Sequence, residues 1–552
     1  MNITKELKQP RNIAVSSILG FLYAAGNYYW RYGFETTGLI RVILLIVRFL
    51  LAFAFVMFVA IPGTRYLQKK MFSSDIDESS FTVSDRKQLI RNCLIFAVCW
   101  LPFVIFKYPA AIQPDTWQGI WQFRHHEITG MQPVGYVVLT GLFMKIVNNN
   151  VGMFLFSLTG YLCYCYSFGY AMTYVDSLKI KKPVRLALFF LWISSPYTLG
   201  YIGVVVKDIH FLAGIMIVTI TLMEISWHRK PVTVLQLAKL FGWSLVMYIF
   251  RPNGMLILLF IVFFYAIAAF RKKLPWKPIL SFVLAIVCGF LITMALNFAY
   301  DVHKPKDSLK EALSIPFQQT ARYARDHADD TTPEEIEAID KVIPYSVLAE
   351  RYDPRIADPV RWNYSGDFSA FVDYLGKAWL PQLMRHPDTY IASFVEQNYY
   401  MFSILASTKN ISFFEGVTKY YELEYNFDCV GSWMYEDIFD EPSSLLWARE
   451  AVSMYCISVM NLPIPWITAN VAICCYIVMF CWIMVFPTRK KRNDYSLIYY
   501  VPLIATLIMI LAAPANQGLP RYLFPIVYLA PLIYIDHARR ISSQPSPSGS
   551  AS

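Results

Sequence analysis

Residues 92–136 read NCLIFAVCWLPFVIFKYPAAIQPDTWQGIWQFRHHEITGMQPVGY. The first part, 92–108, is an apolar run long enough to cross the hydrocarbon of a bilayer as a helix. The composition then changes abruptly: Asp115 stands among Trp, Tyr, Gln and His residues directly after the span. A carboxylate delivered to the membrane edge among aromatic side chains sets the expectation for the rest of the chain. The scaffold is a helical membrane bundle, and the chemistry sits at one of its ends.

Further runs of the same kind lie near 13–31, 39–61, 151–174, 184–203, 208–227, 235–250, 253–270, 277–299, 467–486, 496–513 and 520–535. Together they predict about a dozen transmembrane helices. The chain has 552 residues, of which 56% are hydrophobic and 16% charged. One water-soluble core cannot hide that much apolar surface, so the bilayer is the solvent. The formal charge of +10 falls in short basic clusters between the apolar runs. Membrane topology explains such clusters, and no nucleic-acid partner is expected. Of the ten cysteines, all but Cys429 lie in or beside apolar segments. That placement argues against a disulfide framework or a thiolate metal site. The basic N-terminus leads into a long span, so no cleaved signal is expected.

Lys and Arg gather around Lys5/Lys8/Arg11, Arg65–Arg91, Lys179/Lys181/Lys182, Arg229/Lys230, Arg271–Lys273, Arg489–Arg492 and Arg539/Arg540. These are alternate connections, which places both termini in the cytoplasm of a multi-pass cell-membrane protein. Counting 133–148 as a crossing would turn Lys179, Lys181 and Lys182 outward. It reads instead as a juxtamembrane helix on the outer face, with a short span that violates the charge rule as the alternative.

The expected division is an N-terminal transmembrane region (1–299) containing the outer loop 109–150, an extracytoplasmic insertion (300–448), a C-terminal transmembrane region (449–540) and a disordered tail (541–552). The insertion reads as folded and α-rich or mixed. Trp362, Phe368, Phe371, Tyr374 and Trp379 are crowded together there, which a disordered stretch does not support. Thr332-Pro333-Glu334-Glu335 carries an N-cap hydroxyl, Pro at N1 and Glu three residues after the cap, the signature of a helix start.

Asp115 can accept a proton from an acceptor hydroxyl, and low-dielectric surroundings are expected to raise its pKa toward a useful range, while a solvated carboxylate capping a helix at Pro114-Asp115-Thr116 is the plainer account for an isolated Asp. Lys207-Asp208 opens a span at the outer surface, where Lys207 can meet a phosphate as a point charge. Snorkelling of Lys207 and dipole pairing by Asp208 is the plainer account of the same two residues. Arg251 and Arg521 lie at outward junctions, where the positive-inside rule disfavours Arg, and basic residues there suggest an anion to bind. In the insertion, Gln318, Gln319, Arg322, Gln397 and Asn398 offer amide and basic groups suited to sugar hydroxyls. Ordinary helix packing is the competing account for each of them. A divalent cation at Asp115 is an open option, but one carboxylate does not establish a site, and no cofactor is assigned.

The loop pattern Tyr108-Pro109, Pro114-Asp115, Gln118, His125-His126 and Gln132-Pro133 resembles the first extracytoplasmic loop of bacterial type C (GT-C) glycosyltransferases. These are polytopic enzymes that use polyprenyl-phosphate sugars. Lys207-Asp208, Ile315–Arg322 and the late Arg521-Tyr522 followed by Phe524-Pro525 are similar to further elements of that family. Many relatives carry His-Pro where this chain has Gln132-Pro133, leaving His125 or His126 as candidates for the missing imidazole.

The resemblance implies a GT-C-like, all-α polytopic membrane fold and an inverting sugar transfer from a polyprenyl-phosphate donor to a glycan, lipid or protein acceptor of the cell envelope. It implies that Asp115 is the catalytic base or a metal-associated carboxylate. Lys207, Arg251 and Arg521 are then expected to clamp the donor phosphate. Gln118, His125, His126, Asp208 and the insertion residues named above are expected to contact substrate. Two rival functions remain: a multi-pass transporter or lipid flippase, which predicts charges midway through spans, and a non-catalytic assembly factor, for which the outer Asp, Lys and Arg are dispensable.

Overall fold

The structure, a computed structural model, describes residues 9–32, 38–73, 85–227, 231–271, 274–303, 313–354, 356–361, 364–405, 438–440, 442–460, 470–485, 497–512 and 520–542. Helix α1 spans Pro10–Tyr32 and α2 Leu39–Phe55, which runs through a π turn into α3, Ile61–Met71. Helix α4 (Arg86–Phe106) leads to strand β1 (Ala111–Ile112), α5 (Pro114–His125), α6 (Val134–Met144) and α7 (Asn149–Ser177). Then come α8 (Lys182–Ile193), α9 (Pro196–Tyr201), strand β2 (Val204–Val205) and four long helices. These are α10 (Lys207–Trp227), α11 (Val234–Phe250), α12 (Pro252–Phe270) and α13 (Lys277–Ala299).

Among the described residues, six helices are long and apolar enough to cross a membrane: Leu39–Gln68, α4, α7, α10, α12 and α13. Helix α10 is the axis of the bundle. Its apolar window is 100% buried, whereas that of Leu39–Gln68 is only 11% buried. An apolar helix left so exposed is stable only in hydrocarbon, so the chain is a multi-pass membrane protein.

Two segments depart from simple crossings. The window 184–203 divides into α8 and α9 at Ser194-Ser195-Pro196, because Pro196 lacks the N–H that would continue the helix. Segment 133–148 forms only the 11-residue α6, about 16 Å long, well short of a bilayer crossing.

The insertion contains α14 (Ser314–Asp326), α15 (Pro333–Asp340), α16 (Leu348–Arg351), α17 (Asp358–Arg361), α18 (Phe368–Tyr374), α19 (Leu380–Arg385) and α20 (Pro387–Asn398). It has its own core, including Phe317, Ile339, Val342, Leu348 and Tyr374, and its described residues hold no named strand. Thr332 and Glu335 form the reciprocal capping box expected of them. The insertion returns to the bundle where Tyr399 packs on Tyr29, with ring centroids 5.4 Å apart, and Ser403 donates to Asn27 at 2.9 Å. The C-terminal region supplies α21 (Leu446–Met460), α22 (Val471–Val485), α23 (Val501–Ala512) and α24 (Phe524–Ser542). Cys429, segment 514–519 and tail residues 543–552 lie outside the described residues.

Helices α10 and α24 run parallel and are tied at their C-terminal ends. Asp536 accepts from Tyr174 at 2.5 Å, Trp227 at 2.6 Å and Arg540 at 2.7 Å. Arg540 also donates to Ser226 at 2.7 Å and to the Met223 carbonyl at 3.3 Å. Gly214 lets α10 approach α11: a Cβ there would lie 2.5 Å from Met247 Cγ and 3.0 Å from the Trp243 carbonyl oxygen. Gly214→Val therefore forces the axis helix away from its neighbour, at an expected cost of about 1–3 kcal/mol. A lower thermal midpoint in detergent, beside an unchanged Gly242→Ala control with open space around it, is the expected result.

Candidate functional site

Strands β1 and β2 pair in parallel, Ala111 with Val204 and Ile112 with Val205. Each strand runs almost directly into a helix, β1 into α5 and β2 into α10. This short pairing therefore sets two helix N-termini side by side, each with a carboxylate in its first turn, Asp115 and Asp208. Thr116 locks the junction by donating to the Val205 carbonyl at 2.7 Å, and its hydroxyl also meets that of Tyr136. Lys107, at 1% exposure, holds the approach to β2 with its ammonium 2.9, 2.6 and 2.6 Å from the carbonyls of Leu199, Gly200 and Ile202.

Three cations converge on the two carboxylates. Lys207 Nζ lies 3.1 Å from Asp115 and also donates to Gln132, whose amide donates to Gln118 at 3.2 Å. Arg251, between α11 and α12, pairs with Asp208 at 3.0 Å. Arg521, in the turn before α24, lies 3.7 Å from Asp115 and 3.9 Å from Asp208, and donates to Gln113 at 3.1 Å. The Tyr522 ring takes both guanidinium groups, at 4.8 Å for Arg251 and 5.3 Å for Arg521. Helix N-termini add positive potential to the same spot. Three cations against two carboxylates leave one unit of positive charge.

The electrostatics reverse one expectation. Burial pushes the Asp115 carboxyl up, but Lys207, Arg521 and the hydrogen bond from Lys207 outweigh it and hold the carboxyl well below the usual carboxylate range. A carboxylate so held is a weak base until its cations find another anion. Asp115 is faced by two cations, Lys207 and Arg521, and among the described residues no group of three His, Cys, Asp or Glu side chains is placed to hold a metal ion.

The cluster thus gathers Asp115, Gln118, Lys207, Asp208, Arg251 and Arg521. His125 and His126 do not join it. They are exposed at the far end of α5, about 15 Å along the helix from Asp115, and His125 stacks on Trp121 at 4.6 Å. Gln132 itself sits beside Lys207 and donates to Gln118. The insertion residues are engaged locally. Gln318 donates to the carbonyls of Asp353 and Ile356 at 2.8 Å, and Gln319 donates to the Tyr390 carbonyl and accepts from Trp379. Arg322 pairs with Asp326 and Glu396, and Asn398 donates to the Phe394 carbonyl. Gln397 is buried on the same helix as Asn398.

Sequence reasoning passed over Gln113 and Lys107, and it named Tyr522 only as the neighbour of Arg521. Lys107 carried the same signal as Arg251, a basic residue at the end of a span that the sequence reading turns outward.

The chain belongs to the DUF6020 family. This is a family of unknown function whose sequence profile matches residues 120–548, a stretch that takes in Lys207, Asp208, Arg251 and Arg521 and begins after Asp115. Among solved structures, the chain is similar to ArnT from Cupriavidus metallidurans bound to undecaprenyl phosphate. The identity is 12% over 83% of this chain and 79% of that chain, with a TM-score of 0.30. No curated protein matches the chain.

Asp208 is 1% exposed, so Asp208→Asn leaves two buried guanidinium groups short of their counter-ion. The expected loss is about 3–5 kcal/mol in unfolding free energy, read as a lower thermal midpoint and partly recovered by added inorganic phosphate. Asp115 gives a pH signature. Its folded pKa lies below the unfolded value of about 3.9, so its contribution is fully present above that value and is lost as pH falls through the folded one. The stability difference between wild type and Asp115→Asn should stay flat above about pH 5 and shrink below about pH 4.

Proposed function

We propose that this protein is a membrane glycosyltransferase that moves a sugar from a polyprenyl-phosphate donor to a cell-envelope acceptor on the extracytoplasmic side, where both cytoplasmic termini would leave the Asp115 cluster. The observation that carries the reading is the unbalanced positive charge of Lys207, Arg251 and Arg521 around Asp115 and Asp208, set at paired helix N-termini. The first-loop resemblance supports the same reading independently.

In this mechanism the donor phosphodiester, with one negative charge, enters where the cluster has one positive charge to spare. Its oxygens draw Lys207 and Arg521 away from Asp115, whose basicity rises as the donor binds. Arg521 Nε, buried and without a hydrogen-bond acceptor among the described residues, is available to a phosphate oxygen. The acceptor hydroxyl then attacks the anomeric carbon, its proton passes to Asp115, and the bond from that carbon to the phosphate oxygen breaks with its electron pair on the leaving phosphate. The product monoester carries two negative charges, and the cluster, with Asp115 protonated, now carries two positive ones. Donor and product are each neutralised in turn, which is how a preorganised site lowers the barrier between them.

The test supplies polyprenyl-phosphate sugars to the purified protein and follows release of free polyprenyl phosphate. Asp115→Asn is expected to lower turnover by about 10²–10⁴-fold with donor binding retained. Arg521→Met should mainly raise the donor concentration needed. Equal turnover by wild type and Asp115→Asn across a broad donor panel would sink this role for Asp115. Movement of lipid across vesicles without sugar release would favour a flippase.

A further inference from the structure

The opposite end of α4 carries a feature that the donor site does not use. Lys87, Ile90, Arg91, Leu94, Ile95, Val98 and Cys99 line an open groove of about 580 Å³. At helical spacing these residues form one continuous face, with Lys87 and Arg91 one turn apart above an apolar floor. The other face of α4 is committed: Gln88 donates to Asp176 at 2.6 Å and Asn92 at 3.1 Å, and Arg185 also pairs with that carboxylate at 2.5 Å. Asp176 is therefore saturated and turned away from the groove. Among the described residues no carboxylate lies within ion-pair distance of Lys87 or Arg91.

Helix α4 has 21 residues, with Arg86, Lys87 and Arg91 in its first two turns and an apolar remainder that rises about 22 Å through the hydrocarbon. When its apolar length spans the bilayer, Lys87 and Arg91 reach the headgroup level and Leu94, Ile95 and Val98 lie beside acyl chains. Cations at headgroup depth above an apolar floor complement one ligand chemistry, an anionic headgroup on a hydrocarbon tail.

We infer that this groove is a binding site for an anionic bilayer phospholipid, with Lys87 and Arg91 bracketing its phosphate and the α4 face holding an acyl chain. The site is separate from the donor cluster, which lies at the other end of the same helix, and does not depend on the proposed reaction.

The test is native mass spectrometry of the full-length protein in detergent with equal added phosphatidylglycerol and phosphatidylcholine. Wild type should retain phosphatidylglycerol selectively, and the K87Q/R91Q double variant should lose roughly tenfold of that retention. Both side chains are exposed, so the variant should fold, and an unchanged thermal midpoint checks this. Val98→Trp, which fills the floor and leaves both cations, should lower retention as well. The inference is overturned if wild type retains the two lipids equally or if K87Q/R91Q retains as much phosphatidylglycerol as wild type. An equal loss in a K181Q/K182Q control, which removes the same charge from the start of α8, also overturns it.

Discussion

Asp208 is a carboxylate removed from water and held between Arg251 and Arg521. Burying any one of these charges alone would cost several kcal/mol, so each is tolerable only because the others are there. The three residues come from α10, the α11–α12 junction and the turn before α24. Their mutual neutralisation therefore draws together parts of the chain that lie hundreds of residues apart. Lys207 and Asp115 complete the arrangement from the β1–β2 side. The bundle end cannot be rearranged locally, because moving any one element strands a charge contributed by another.

The insertion behaves differently. Its polar residues mostly satisfy its own backbone and one another, as with Gln318 and the carbonyls of Asp353 and Ile356. An amide in that role fixes a loop against a helix and needs no ligand to explain it. The insertion has a separate apolar core, and it meets the membrane bundle through aromatic and hydrogen-bond contacts near Tyr399 and Ser403. The charged cluster is built from the bundle and the first loop, and the ion pairs that define it include no insertion residue.

Much of this was legible in the sequence because membrane burial leaves a strong one-dimensional signal. Apolar runs located the long helices, and basic residues at junctions that the charge rule would turn outward pointed to Arg251 and Arg521. What the sequence could not carry was distance. Nothing in the spacing of residues 111 and 204 announces that two short strands pair, yet that pairing sets Asp115 beside Lys207. The expectation of a raised Asp115 pKa followed from counting desolvation without the cations that arrive from remote segments. His125 and His126 were attractive for their identity, but a helix of 12 residues carries them away from the carboxylate they were matched to. Pro196 broke the window 184–203 through backbone chemistry that an average over hydropathy does not see.

The parallel helices α10 and α24 are joined at both ends, by Asp208 and Arg521 at one and by Ser226, Trp227, Asp536 and Arg540 at the other. The separations between these ties, 208 to 226 along α10 and 521 to 540 through the 3-10 turn into α24, correspond to roughly 27 and 30 Å of rise. Two rods pinned at both ends must keep equal length. Loss of a single residue from the middle of either would turn one of its ends by about 100° and shift it by about 1.5 Å, so one set of ties or the other would open. The interior of these two helices is thus closed to insertions and deletions however bland its apolar side chains, and length changes in this chain should collect in the connections instead.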